Sequence, residues 1–139
     1  MSRSFLWVVV LGIGLNACGD DPPLCEEEEE HEHAETPSGA SCDGSTLSYE
    51  NFGEAFMQKY CTSCHSSSLK GEEERRCAPS DHNFDTLDEI VLYREHIDEH
   101  AAAGPDAVNE EMPPSGQKPT EQERRDLGTW LACLEEQMP

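Results

Sequence analysis

Between residues 48 and 60 the apolar positions fall at Tyr49, Phe52, Phe56 and Tyr60, spacings of three and four that put four rings on one face of a helix. Ser48 stands where that helix needs an N-cap, and the helix runs directly into Cys61. At the other end of the chain Thr120-Glu121-Gln122-Glu123 has the form of a capping box, with Pro119 before it. Leu127, Trp130, Leu131 and Leu134 then form the apolar stripe of a terminal helix. Between the two, Asp85 is placed to cap a helix reaching about Ala103, with Leu87, Ile90, Val91, Tyr93 (or Leu92) and Ile97 as its apolar set and Gly104-Pro105 as its stop. No stretch alternates in the manner of a strand. The pattern predicts a small all-α domain of about three main helices.

The rest of the chain is not patterned for a core. Met1 to Ala17 has a positive start at Arg3 and an apolar run from Phe5 to Leu15, the layout of an export signal. A spanning helix needs roughly 20 apolar residues, so this run is too short for one. Leu15-Asn16-Ala17-Cys18-Gly19 resembles a bacterial lipobox, which implies cleavage before Cys18 and lipid on its sulfur and new amine. The alternative is an ordinary secretory signal with Cys18 left as a thiol. Several acyl chains would hold the mature chain at a membrane, whereas one gives only marginal binding. Gly19, where an aspartate would signal inner-membrane retention, favours the outer membrane. Residues 18–41 then read as a lipidated cysteine and an acidic, disordered tether: Asp20, Asp21, Glu26 to Glu30 and Glu32 repel one another and offer little to bury. His31 and His33 among these acids suit a solvated spacer better than a divalent-metal site. The folded domain is expected over 42–139.

Charge narrows the partners. Thirty acidic residues against nine basic ones give a formal net charge of −21, and removing residues 1–17 takes away Arg3 and no acid. Such a surface repels phosphate, which excludes nucleic acid and anionic lipid headgroups as favoured partners and points to proteins with a basic docking patch.

The chemistry is concentrated in Cys61-Thr62-Ser63-Cys64-His65. Cys-x-x-Cys-His is the spacing of covalent c-type haem attachment: two thiols three positions apart reach the vinyl groups on one porphyrin edge, and the next histidine swings beneath the iron. A haem also supplies the large apolar plate that a short domain, in a chain with only 6% aromatic residues, otherwise lacks. His82 lies in the polar run Ser80-Asp81-His82-Asn83 and reads as a loop residue with local hydrogen bonds. His96 and His100 share a helix face, but Glu95, Asp98 and Glu99 around them suggest solvated positions rather than a metal site.

Gly53, Met57 and Cys61 follow one another at intervals of four, and Leu127 precedes Trp130 by three. In these features, over most of residues 48–135, the chain resembles the single-haem class I cytochromes c. Met57 stands where that family usually has an aromatic. The resemblance implies close crossing of the first and last helices at Gly53, with Cys61 and Cys64 as covalent haem cysteines and His65 as proximal iron ligand. It further implies Met112, before Pro113 and Pro114 in the loop ahead of the terminal helix, as distal ligand; a lone loop methionine otherwise serves to fill gaps. Met57 and Met138 are poorly placed for that role, and His82 is its main rival. Cys25, Cys42, Cys77 and Cys133 remain, an even number in an oxidising compartment. Because the family packs the terminal helices together, the resemblance favours Cys42 with Cys133 as a disulfide; Cys77 could then meet Cys25, which could equally serve as a further anchor or an idle thiol.

One electron-transfer role and two alternatives are compatible with these residues. An electron carrier, not an enzyme, has both axial positions filled. A sensor or peroxidase-like enzyme would leave the distal position open to a small ligand, with His82 as the one available acid or base. A non-haem protein would use Cys61 and Cys64 for zinc or as a redox dithiol, but no βαβ pattern accompanies them and the matched helix spacings would then be unexplained.

Overall fold

The computed structural model describes residues 36–136 together with Cys25. The expected signal segment 1–17, the lipidation candidate Cys18, the remaining residues of the expected tether up to 35 and Met138 lie outside the described residues. A π-helical turn, Tyr49–Gly53, leads into α1, Glu54–Tyr60; α2, Gly71–Arg75, α3, Leu87–Leu92, α4, Arg94–Ala101, and α5, Glu121–Glu136, follow. Among the described residues there is no strand, only an isolated bridge between Ala103 and Val108. None of these helices is long and apolar enough to cross a membrane.

Local chemistry explains the helix starts. Ser48 accepts from the Asn51 amide while the Asn51 side chain accepts from the Ser48 amide, a reciprocal cap that satisfies two orphan donors. Thr120 and Glu123 do the same for α5, at 2.8 and 3.2 Å. The middle helix departs from expectation in two ways. Its cap is Thr86, paired with Glu89, and not Asp85, whose carboxylate accepts instead from the Ser67 amide at 2.6 Å. It also breaks at Tyr93, where φ −111° and ψ 15° leave the helical region, so α3 and α4 replace one continuous element. The break turns Tyr93 onto the His82 ring, with centroids 4.4 Å apart, and leaves Leu92 at 74% exposure as the residue outside the core. Helix α2 had no signal in the apolar pattern, because four of its five residues are charged.

The core forms where α1 and α5 cross. Phe56, Met57, Tyr60, Leu127, Trp130 and Leu131 are all buried there, with Ile90 and Ile97 closing the side toward α3 and α4. Gly53 permits the crossing: a methyl group in its place would overlap the Trp130 ring. Gly53→Ala should therefore cost about 1–3 kcal/mol by overpacking, measured as a lower denaturation midpoint. An unchanged midpoint would mean the two helices can separate at no cost.

Glu123 ties the same two helices by charge. One carboxylate oxygen caps Thr120, and the other accepts from the Tyr60 hydroxyl at 2.7 Å and from Lys59 Nζ at 3.1 Å. The Thr120 amide first, and then the Tyr60 hydroxyl, hold the carboxyl down from the ordinary 4.5 to about 2. The resulting stabilisation is full above about pH 4.5 and is lost as pH falls toward about 2. Across that window Glu123→Gln should shallow the stability-versus-pH slope by up to about one proton; an identical slope would refute the assignment.

Two disulfides close the domain. Cys42 pairs with Cys133 across 91 residues of sequence, the pairing the resemblance implied, and Cys25 pairs with Cys77. In the chain-entropy account a loop of about 100 residues stabilises by about 4–5 kcal/mol. The body also takes in residues before Cys42 that the sequence places in the tether. Ser38 is buried, and its amide and hydroxyl both donate to Asp98, at 2.7 and 2.6 Å. The Asn109 side-chain amide donates to the Thr36 carbonyl at 2.9 Å. These partners come from 60 and 73 residues away, which is why local composition did not reveal them.

Candidate haem site

One open cleft gathers residues from α1, the segment after it, α4 and the loop before α5. Its walls are mostly apolar, with Phe56, Phe84, Ile97 and Ala101 among them and Pro113, Pro114 and Pro119 along the loop. Cys61, Cys64, His65 and Met112 all line it. Four residues separated by up to 51 positions in the chain are thus brought to one concavity.

Helix α1 ends at Cys61, whose amide still bonds to the Met57 carbonyl, and the next turn is closed by His65 N to Cys61 O at 2.9 Å. The turn holds both thiols and the imidazole on the cleft side of one short arc. Cys61 and Cys64 are not joined to each other or to another cysteine. Burial pushes the Cys61 thiol up to about 12. A reactive dithiol needs the opposite shift, so this environment argues against thiol–disulfide exchange. Among the described residues no cluster of three or more His, Cys, Asp or Glu side chains is arranged to hold a metal ion.

His65 is oriented by its surroundings. Its ring stacks on Phe84 at 4.7 Å, and Nδ1 lies 3.1 Å from the His82 carbonyl. A carbonyl only accepts, so Nδ1 carries the proton and Nε2 the lone pair an iron needs. Burial, the largest influence, lowers the His65 pKa and favours that neutral ring. The His82 carbonyl is itself fixed by Arg75 Nη2 at 3.0 Å. Arg75 is buried and also donates to the Ser66, Ala78 and Pro79 carbonyls and to the Asn83 side chain. The His82 side chain turns away to Asp81, 2.9 Å, and does not line the cleft, which removes it as a rival distal ligand.

Met112 is held by its backbone. Its amide donates to the His100 carbonyl at 2.9 Å, and its carbonyl accepts from Arg124 Nη1 at 2.9 Å. The same Arg124 nitrogen reaches the Ala101 and Asn109 carbonyls, so one buried guanidinium on α5 gathers the ends of this loop. Met57, by contrast, is packed in the helix-crossing core at 1% exposure.

The sequence pattern missed four contributors. Arg75 and Arg124 carry no signal in the sequence, because nothing local marks an arginine as buried. His96 and His100, expected on a solvated face, line the cleft instead, because α4 turns that face inward after the break at Tyr93. His100 Nε2 is buried with no hydrogen-bond partner among the described residues. An apolar concavity with paired thiols, an oriented imidazole and an unpartnered ring nitrogen fits a haem.

Fold and cleft together define a small all-α protein built to enclose a covalently attached haem. A family model described as Cytochrome c matches residues 52–135, more than half of the chain, and the chain belongs to that family. It is accordingly a c-type cytochrome, its cofactor is covalent haem c, and one haem suits a domain of this size. No curated protein and no solved structure matches the chain.

Proposed function

We propose that this c-type cytochrome carries single electrons between proteins of the cell envelope. It is anchored by lipid on Cys18, preferentially at the outer membrane, and faces the periplasm. Cys61 and Cys64 would hold the haem by thioethers, and His65 and Met112 would ligate its iron. The observation that carries the reading is the convergence of these four residues on one apolar cleft, with the His65 ring fixed by the His82 carbonyl.

When bound, the haem supplies a reversible one-electron iron couple, which Met/His ligation sets at a raised potential. The chain's own contribution is to keep the geometry constant while charge changes. Arg75 fixes the carbonyl that orients His65, Arg124 fixes the loop of Met112, and the apolar walls exclude water. No proton has to move at either ligand.

The test is the oxidised and reduced spectrum of the full chain matured in a host that attaches haem c. A low-spin, six-coordinate iron in both states that cycles reversibly and does not take up carbon monoxide supports a carrier. A five-coordinate iron that binds carbon monoxide readily would overturn it in favour of the sensor or enzyme. Membrane attachment is read by replacing Cys18 with serine, which should release the protein from the membrane fraction.

The acidic surface makes a separate prediction. Electron transfer to a basic partner should slow several-fold as ionic strength rises to about 0.15 M, where the Debye length is about 8 Å. A rate indifferent to salt would exclude electrostatic docking.

A further inference from the structure

We propose that His100 is a second distal donor to the haem iron, held beside Met112 and binding the iron when the methionine thioether is withdrawn. This rests on the reading of His65 and Met112 as the axial pair.

The His100 ring is prepared on one side and open on the other. Nδ1 lies 2.5 Å from a Glu111 carboxylate oxygen. A carboxylate accepts only, so the proton sits on Nδ1 and the lone pair on Nε2. A carboxylate behind a histidine is also the arrangement that orients metal-binding imidazoles and raises their basicity. Nε2 is buried, without a hydrogen-bond partner among the described residues, in a side chain only 17% exposed that lines the same cleft as His65 and Met112. Buried polar atoms are ordinarily satisfied, so this nitrogen calls for a partner that enters the cleft.

Its coupling to Met112 follows from the backbone. The Met112 amide donates to the His100 carbonyl, and Glu111, which holds the His100 ring, is the residue before Met112. Both donors are therefore carried by one hydrogen-bonded unit of α4 and the following loop. The His96 ring, 4.3 Å from that of His100 and 5.0 Å from that of His82, braces the imidazole from the preceding turn. Exchange of thioether for imidazole replaces one neutral donor by another and needs no oxidant, reductant or net proton. An imidazole in place of the thioether removes the preference for ferrous iron, so the exchange lowers the potential.

The experiment compares the matured wild type, Met112→Ala, His100→Phe and the double variant by ferric absorption and near-infrared magnetic circular dichroism, with haem content checked in each. The wild type and His100→Phe should show the thioether-to-iron charge-transfer band. In Met112→Ala that band should be lost, but the iron should remain low-spin with a bis-imidazole signature. The double variant should become high-spin and take up carbon monoxide on reduction, and added imidazole should restore its low-spin spectrum, showing that the cleft is intact. A high-spin Met112→Ala, or a double variant that stays low-spin, overturns the role of His100. Failure of the underlying reading is separately visible, since a wild type without the thioether band excludes Met112 as the distal ligand and with it the reserve role.

Discussion

Replacing both Cys61 and Cys64 with alanine should abolish covalent haem attachment. After denaturation the purified chain should carry no haem stain and no porphyrin mass, while His82→Ala should retain both. The two thiols lie within one turn that starts at the end of α1 and is closed by His65 N to Cys61 O, so no other cysteine can take their place. Of the remaining five, four are committed to the Cys25–Cys77 and Cys42–Cys133 disulfides, and Cys18 lies outside the described residues. Only seven cysteines are present, so those two bonds and Cys18 account for the rest. A double variant that keeps haem through denaturation would show that attachment uses another site. Loss of the haem should also expose the apolar cleft, and the variant should melt earlier and less cooperatively.

Arg75→Met should lower the stability of the haem-loaded protein by about 3 kcal/mol or more, measured by denaturant unfolding. The buried guanidinium donates to five acceptors, the Ser66, Ala78, Pro79 and His82 carbonyls and the Asn83 side chain. Each buried acceptor left without a donor costs about 1–3 kcal/mol, partly recovered where water enters. The loss should extend to the haem site, because the His82 carbonyl that fixes His65 would lose its second hydrogen bond. Arg75→Lys should not rescue, since a single ammonium cannot reproduce a planar fork. Equal stability of wild type and Arg75→Met would mean that the loop from Ser66 to Asn83 is held by something else, the Cys25–Cys77 bond foremost.

How far the protein could be read from its residues depended on the distance over which each feature is determined. The caps at Ser48 and Thr120 lie where the side-chain types put them, because a cap is made within three residues. The fit of Gly53 to Trp130 was anticipated through family resemblance, and the structure shows its physical cause in the space a methyl group would need. The middle helix forms where the apolar pattern puts it, but with another cap and with a break at Tyr93. Asp85 and Thr86 are both acceptable caps, and the choice went to Thr86 because Asp85 is used by the Ser67 amide, a partner from another loop. His96 and His100 differ from expectation for a related reason: the acids beside them mark a wet surface on average, but the break at Tyr93 rotates α4 so that the histidines face the cleft.

The order of residues in the chain is enough to set the helical character, the helix starts at Ser48 and Thr120, and the chemistry of Cys61, Cys64 and His65, since each is written in contacts of a few positions. The burial of Arg75 and Arg124, the ordering of Ser38 against Asp98, the inward face of His100 and the meeting of Met112 with Cys61 and Cys64 required the assembled fold. Each of those depends on which distant groups become neighbours when water is excluded, and a guanidinium or an imidazole has the same local signature whether its partners turn out to be water or buried carbonyls.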